Sequence, residues 1–126
     1  MPGSATDTAA TDHPHRSDRE SAAGWILFRM QIQLRDYRIR HGEMGAWIAG
    51  WKSHIVPLRE AAGFVLIGAW ADVPDDRFVW LLGYTGAEGF QAADDHYYAS
   101  EERRQVQPDP SDLIQEATQT MVVAVL

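Results

Sequence analysis

The 126-residue sequence contains no cysteine. Disulfide scaffolds, thiolate nucleophiles and thiolate metal sites are therefore excluded, and the composition fits a reducing compartment such as the cytoplasm. Basic charge is also scarce: 11 Lys and Arg stand against 18 Asp and Glu, a formal net charge of −7. Without a general attraction to phosphate backbones or anionic lipid, no nucleic acid and no membrane partner is expected. Long apolar runs are missing too. The longest, Phe64 to Ala71, falls well short of the ~20 residues of a membrane span, and the N-terminus does not read as a signal peptide. Glycine-rich phosphate loops, His-Glu-x-x-His and Gly-x-Ser-x-Gly are absent as well. Nucleotide, phosphoryl-transfer, zinc-hydrolase and serine-hydrolase chemistries thus have no support.

What is present divides into a tail and a body. Residues 1–23 are rich in Ser, Thr, Ala, Asp and Gly and carry no large apolar residue after Met1, so a disordered polar tail is expected there. His13 and His15 have metal-ligand spacing but no third ordered ligand, and they read as part of this tail. Residues 24–126 are left to form one domain.

Within the body, Phe28 to Ile39 alternates as a strand, with Met30, Ile32 and Leu34 on one face and Gln31, Gln33, Arg35 and Tyr37 on the other. A helix follows between Gly42 and Gly63, its apolar stripe running through Met44, Trp47, Trp51, Ile55 and Leu58. Pro57 is expected to kink it or break its last turns. Phe64 to Ala71 and Phe78 to Tyr84 form a hairpin across the turn-rich segment 72–77. Thr85-x-x-Glu88 has the form of a capping box that would start a second helix near Gly86. A short helical turn after Ser100, a loop around Pro108 to Asp112 and a strand from Thr118 to Leu126 complete the chain. The order β-α-β-β-α-β is that of the ferredoxin-like α+β fold, a four-stranded antiparallel sheet with both helices on one face. The uncovered face then calls for a second sheet, and hence a homodimer.

Alternation sorts the strands into an aliphatic face, with Val65, Ile67, Ala69, Val79 and Leu81, and a face carrying Gln33, Arg35, Tyr37, Trp70, Trp80 and Tyr84. The aliphatic face is expected against the helices and the aromatic face in the open. There it serves either as a dimer interface or as the wall of a ligand cavity.

The segments Leu34-Arg35-Asp36-Tyr37, Gly42-Glu43-Met44, Pro57-Leu58-Arg59-Glu60, Gly68-Ala69-Trp70, Phe78 to Tyr84 and Tyr97-Tyr98-Ala99-Ser100-Glu101 together resemble the NIPSNAP family. The resemblance implies a dimeric α/β barrel and maps the family's strand-one Arg and Tyr onto Arg35 and Tyr37. The wider barrel group includes cofactor-independent monooxygenases, polyketide cyclases, haem-degrading enzymes and muconolactone-type isomerases. Haem degradation is disfavoured: Trp80 and His96 lie in the elements those enzymes use, but their spacing and the missing strand-one Asn do not match.

Candidate chemistry rests on few groups. His54, at the edge of the first helical stripe, is the best-placed general base, with His96 second. Arg35 suits a carboxylate or an enolate-like anion, with Tyr37 as the neighbouring hydrogen-bond donor. Trp70, Trp80 and Tyr84 from the sheet, with Trp51 and Tyr97 from the helices, are the candidate substrate contacts, although core packing is the simpler role for Trp51. Asp94-Asp95-His96 reads as a solvated helix face, so no metal is expected, and no cofactor is implied. The leading expectation is a small cofactor-independent enzyme of secondary metabolism. It would act on an apolar aromatic or polyketide-like substrate by isomerisation, cyclisation or direct oxygenation. The alternative is a non-catalytic homodimeric binding or interaction module.

Overall fold

In the computed structural model the described residues are 30–126; the expected polar tail, with His13 and His15, lies outside them. Strand β1 (Gln31–Ile39) leads into α1, whose three contiguous parts are Met44–Gly50, Trp51–Ile55 and Val56–Ala61. Then come β2 (Val65–Asp72), β3 (Arg77–Tyr84), α2 (Phe90–Ala99), α3 (Glu101–Arg104), a 3-10 turn (Pro110–Leu113) and β4 (Ile114–Val122). The strands form one antiparallel sheet in the order β2-β3-β1-β4, and α1 and α2 pack on one side of it. This is the expected ferredoxin-like α+β architecture. Among the described residues no helix is long and apolar enough to cross a membrane.

Helix α1 is bounded by Gly42 and Gly63, whose φ angles of +82° and +94° lie in the left-handed region that favours glycine. Its buried side chains Trp47, Trp51, Ile55 and Arg59 recur every four residues. At 3.6 residues per turn, each such step drifts about 40° around the helix. The central part takes up this drift as a π turn, in which the Val56 N–H bonds to the Trp51 carbonyl five residues back. Pro57 falls at the start of the next α-helical part, where its missing N–H is tolerated. The expected break is thus a widened turn inside a continuous helix.

Helix α2 starts at Phe90, later than the Thr85-x-x-Glu88 pattern suggests, and Gly89 rather than a capping side chain precedes it. The Phe90 N–H instead donates to Gln31 Oε1 from β1 at 2.6 Å. Glu88 is engaged elsewhere, accepting from the Tyr84 hydroxyl at 2.8 Å. A long-range cap has displaced the local one. By contrast, α3 has a local cap, since Ser100 Oγ accepts from the Arg103 N–H.

The expected orientation of the sheet is corrected by the core. Tyr37, Ile39, Phe78, Trp80, Leu82 and Tyr84 are buried against the helices, so the aromatic face is covered and the aliphatic one open. Two physical reasons favour this. Large rings bury the most apolar area, and they interlock edge to face with α1: Trp47 and Trp51 lie 5.5 and 5.1 Å from Phe78, and Trp51 lies 5.4 Å from Trp80. The polar members of this face, Gln33 and Arg35, are also buried because partners reach them. A register shift between Leu66 and Gly68 in β2 then reverses the alternation and turns Trp70 outward, where it is 59% exposed. The open face carries Trp70, Ile67 and Val65, all exposed, beside Leu34, Val79 and Leu81.

Two outcomes test these tertiary contacts. Gln31→Ala should cost about 1 kcal/mol, as loss of a helix cap does, and should raise hydrogen exchange at the Phe90 amide. The second concerns Asp109, which accepts from Arg103 Nη2 at 2.9 Å and from Ser111 Oγ and N–H at 2.8 and 3.0 Å. Burial works against this carboxylate, but the Arg103 and Ser111 bonds outweigh it and hold its pKa below the ordinary value. Its contribution is therefore complete above the unfolded pKa of about 4 and is lost as pH falls through the depressed folded value. Asp109→Asn should be less stable than the parent at neutral pH and should lose less on acidification, as read from melting temperatures.

Candidate functional site

Residues two apart on β1 point to the same side, and this brings Gln33, Arg35 and Tyr37 into one row beneath the helices. Arg35, only 2% exposed, is bonded through every guanidinium nitrogen. Its Nε donates to Gln33 Oε1 at 2.7 Å, Nη1 to the Tyr98 and Tyr37 hydroxyls at 3.0 and 3.4 Å, and Nη2 to Asp94 Oδ1 at 3.1 Å. From α1, Arg59, 1% exposed, donates Nη1 to the same Asp94 oxygen at 2.7 Å. Its guanidinium stacks 3.7 Å from the Tyr97 ring centroid and 4.6 Å from that of Phe64, contacts that favour a desolvated cation. Arg103 of α3, also buried, pairs with Asp109 beside the 3-10 turn.

Burial opposes the charge on Arg35, but the Tyr37 and Tyr98 hydroxyls and Asp94 outweigh it and hold its pKa above the ordinary value. Burial likewise raises the Tyr37 phenol, despite the opposing effect of Arg35. The Tyr97 phenol is raised for the same reason, against Arg59 and Arg103. At neutral pH these tyrosines are hydrogen-bonding hydroxyls, not bases. The arrangement can hold and stabilise negative charge on a ligand oxygen in a largely dry setting. Between Tyr37, Trp80, Arg59, Tyr97 and Arg103 lies a void of about 20 Å³, room for one water-sized occupant.

Four of the expected site residues meet at this cluster. Arg35 and Tyr37 are bonded to each other, the Arg35 guanidinium lies 5.8 Å from the Trp80 ring, and Tyr97 packs on Arg59. Trp51 lies one layer away, against Trp80. Tyr84 packs on Phe64 at 5.1 Å and bonds Glu88, outside the void. Trp70 is on the opposite face of the sheet. His54 is exposed in a groove with Gly50, Pro108 and Pro110, and His96 is 79% exposed and pairs with Glu88; neither lines the void.

Sequence reasoning passed over Arg59, Asp94, Tyr98 and Arg103 as site residues. Asp94 in particular is not on a solvated face: its side chain is 13% exposed and serves two arginines. The available signals were the arginine in the four-residue series of α1 and the four-residue spacing of Asp94 and Tyr98. Among the described residues no three His, Asp or Glu side chains are grouped so as to hold a metal ion.

Comparison with known proteins agrees with this architecture. No curated protein matches the sequence. A NIPSNAP family protein from Agrobacterium tumefaciens superposes with a TM-score of 0.66 at 20% identity, covering 75% of this chain and 91% of that one. An uncharacterised NIPSNAP domain protein from Burkholderia xenovorans gives 0.65 at 14% identity, over 75% and 93% of the two chains. A candidate antibiotic biosynthesis monooxygenase from Nitrosomonas europaea gives 0.59 at 9% identity, over 77% and 91%. At these identities the structures share the fold. The sequence profile of the NIPSNAP family matches residues 32–125, a span that begins in β1, takes in every helix and passes the end of β4, and the chain therefore belongs to the NIPSNAP family.

Proposed function

We propose that this protein is a cytoplasmic homodimer that binds an apolar aromatic or polyketide-like small molecule at the Arg35 cluster. It acts on that molecule without a cofactor, by isomerisation, cyclisation or direct oxygenation. The observation that carries this reading is a buried guanidinium on an aromatic sheet face, flanked by the Tyr37 and Tyr98 hydroxyls and the Trp80 ring. Isomerisation or cyclisation begun by proton abstraction develops an enolate or phenolate, direct oxygenation of such an anion takes dioxygen as its oxidant, and a fixed cation with neighbouring O–H donors lowers the energy of the anion. The fold shared with a candidate antibiotic biosynthesis monooxygenase is consistent with this chemistry, although fold alone does not assign it. The proton acceptor would be Asp94, the carboxylate at the cluster, since both histidines are remote. A ligand enters by displacing the edge at Tyr98, which is partly exposed.

A non-catalytic binding module is the second reading, and the absence of a histidine from the void's lining favours it. Charge-stabilised binding is common to both. A chromogenic phenol such as para-nitrophenol tests it: the bound phenol should ionise at lower pH than the free one, and Arg35→Met should abolish that shift. A phenol that binds with unchanged ionisation would sink the anion-stabilising role. Stability separates Arg35 from its partner. Arg35→Met leaves Asp94 still paired with Arg59, whereas Asp94→Asn strands two buried guanidiniums, a change that typically costs ~3–5 kcal/mol. Asp94→Asn should thus be the more destabilised variant in denaturant unfolding.

Dimerisation is proposed for the open sheet face, since Trp70, Ile67 and Val65 are exposed together with Val123, Val125 and Leu126 beyond β4. Such a surface is costly to leave in water. Light scattering should give twice the 14.1 kDa chain mass, and Ile67→Arg should reduce it to that of one chain.

A further inference from the structure

The void between Arg59, Arg103, Tyr97 and Trp80 differs from ordinary packing in the kind of atom left unpaired around it. Six buried side-chain polar atoms among the described residues have no hydrogen-bond partner of good geometry, and only weaker contacts reach two of them, Trp80 Nε1 toward Tyr37 and the Tyr97 hydroxyl toward Arg103. Five belong to residues lining this one void: Trp47 Nε1, Trp80 Nε1, Arg59 Nε, Arg103 Nε and the Tyr97 hydroxyl. Four of the five are obligate donors, and the tyrosine can donate. Native interiors leave few polar groups unpaired, so five at one cavity call for an occupant. Charge points the same way. Arg35, Arg59 and Arg103 are buried, and the carboxylates paired with them are those of Asp94 and Asp109. One positive charge is left uncompensated in the cluster. An occupant that only accepts hydrogen bonds and carries negative charge satisfies both conditions, whereas a water, although the Tyr98 and Ser111 hydroxyls of the lining can accept its protons, leaves the charge uncompensated.

We propose that this void is the seat of a carboxylate oxygen, and that the ligand of the cluster is a small aromatic or aliphatic carboxylic acid, anchored by its acid group between Arg59 and Arg103. This rests on the reading of the cluster as a small-molecule site and narrows it to acids. The seat lies beside the Arg35 row, so one molecule can place one carboxylate oxygen in the void and a second, developing anion at Arg35. The geometry also gives separate work to the arginines. Arg59 and Arg103 recognise charge already present on the ligand, and Arg35 meets charge that appears on it.

The test uses the full chain with isotope-labelled indoles, titrated with acetate, benzoate and neutral benzamide at constant ionic strength. Acetate and benzoate should shift the Trp80 and Trp47 indole N–H signals saturably and leave the exposed Trp70 signal in place, and benzamide should do neither. Tyr97→Phe supplies a second readout with opposite signs. It removes an unpaired buried hydroxyl, so the free protein should melt at the same or a higher temperature, while benzoate binding weakens by roughly tenfold, the worth of one charge-assisted bond. Arg103→Lys, which keeps the charge but lacks the Nε donor, should weaken benzoate binding as well. Equal binding of benzamide and benzoate at the indoles would overturn the acid preference while leaving a small-molecule site. Absence of any shift with acetate and benzoate, alongside an intact para-nitrophenol response that needs Arg35, would overturn the carboxylate seat alone. Loss of the para-nitrophenol response as well would remove the small-molecule reading on which the seat rests. A Tyr97→Phe protein that melts lower and binds benzoate unchanged would assign the hydroxyl to the fold.

Discussion

A single carboxylate oxygen, Asp94 Oδ1, accepts from Arg35 of the sheet and from Arg59 of α1, and it does so from α2. Three elements far apart in sequence thus share one electrostatic point. Burying a guanidinium is expensive unless it is paired and its remaining donors are satisfied. Here the cost is offset by Gln33 and the two tyrosines around Arg35, and by the stacked rings around Arg59. The arginines, Asp94 and the interlocked rings share one face of the sheet, so the ion triad and the aromatic packing together favour covering that face.

This explains what was legible in the sequence and what was not. Alternation in β1 and β3 and the four-residue series in α1 are local patterns, and they reported element type and order, including the glycines that bound α1. Which face of the sheet meets the helices is a tertiary question. Arg35 and Gln33 argued for an exposed aromatic face so long as their partners were unknown, and Asp94, 59 residues further along, is not marked as a partner by any local signal. The bulge in β2 was equally hidden, since Leu66, Ile67 and Gly68 alternate as any strand would, yet it separates Trp70 from Trp80. The capping box failed for a related reason: Thr85 and Glu88 have the right spacing, but Gln31 supplies the acceptor from another strand.

For the site, sequence reasoning reached Arg35, Tyr37, Trp80 and Tyr97 and missed the groups that make them a cluster. Histidines drew attention because their ordinary pKa suits proton transfer, but exposure on α1 and α2 keeps His54 and His96 in solvent. What stands at the centre is a set of strong donors with a tethered carboxylate. Such a set suits stabilising an anion more than relaying a proton, because the arginine donors are fixed cations.

The two faces of the sheet differ in physical character. The covered face holds the ion triad in a rigid aromatic frame. The open face presents aliphatic residues and, turned out by the β2 bulge, one tryptophan, with no buried charge among them. Substitutions on the open face therefore leave the field around Arg35 unaltered, and those in the triad act on the field first. β1 belongs to both surfaces, with Leu34 and Arg35 pointing to opposite sides of adjacent positions. A change in strand register would exchange them, placing an arginine on the open face and a leucine over Asp94. The β1 pairing is held on both sides, by β3 from Gln31 to Arg38 and by β4 up to a shift at Arg38 and Ile39, which is the constraint that keeps the ion site and the apolar face apart.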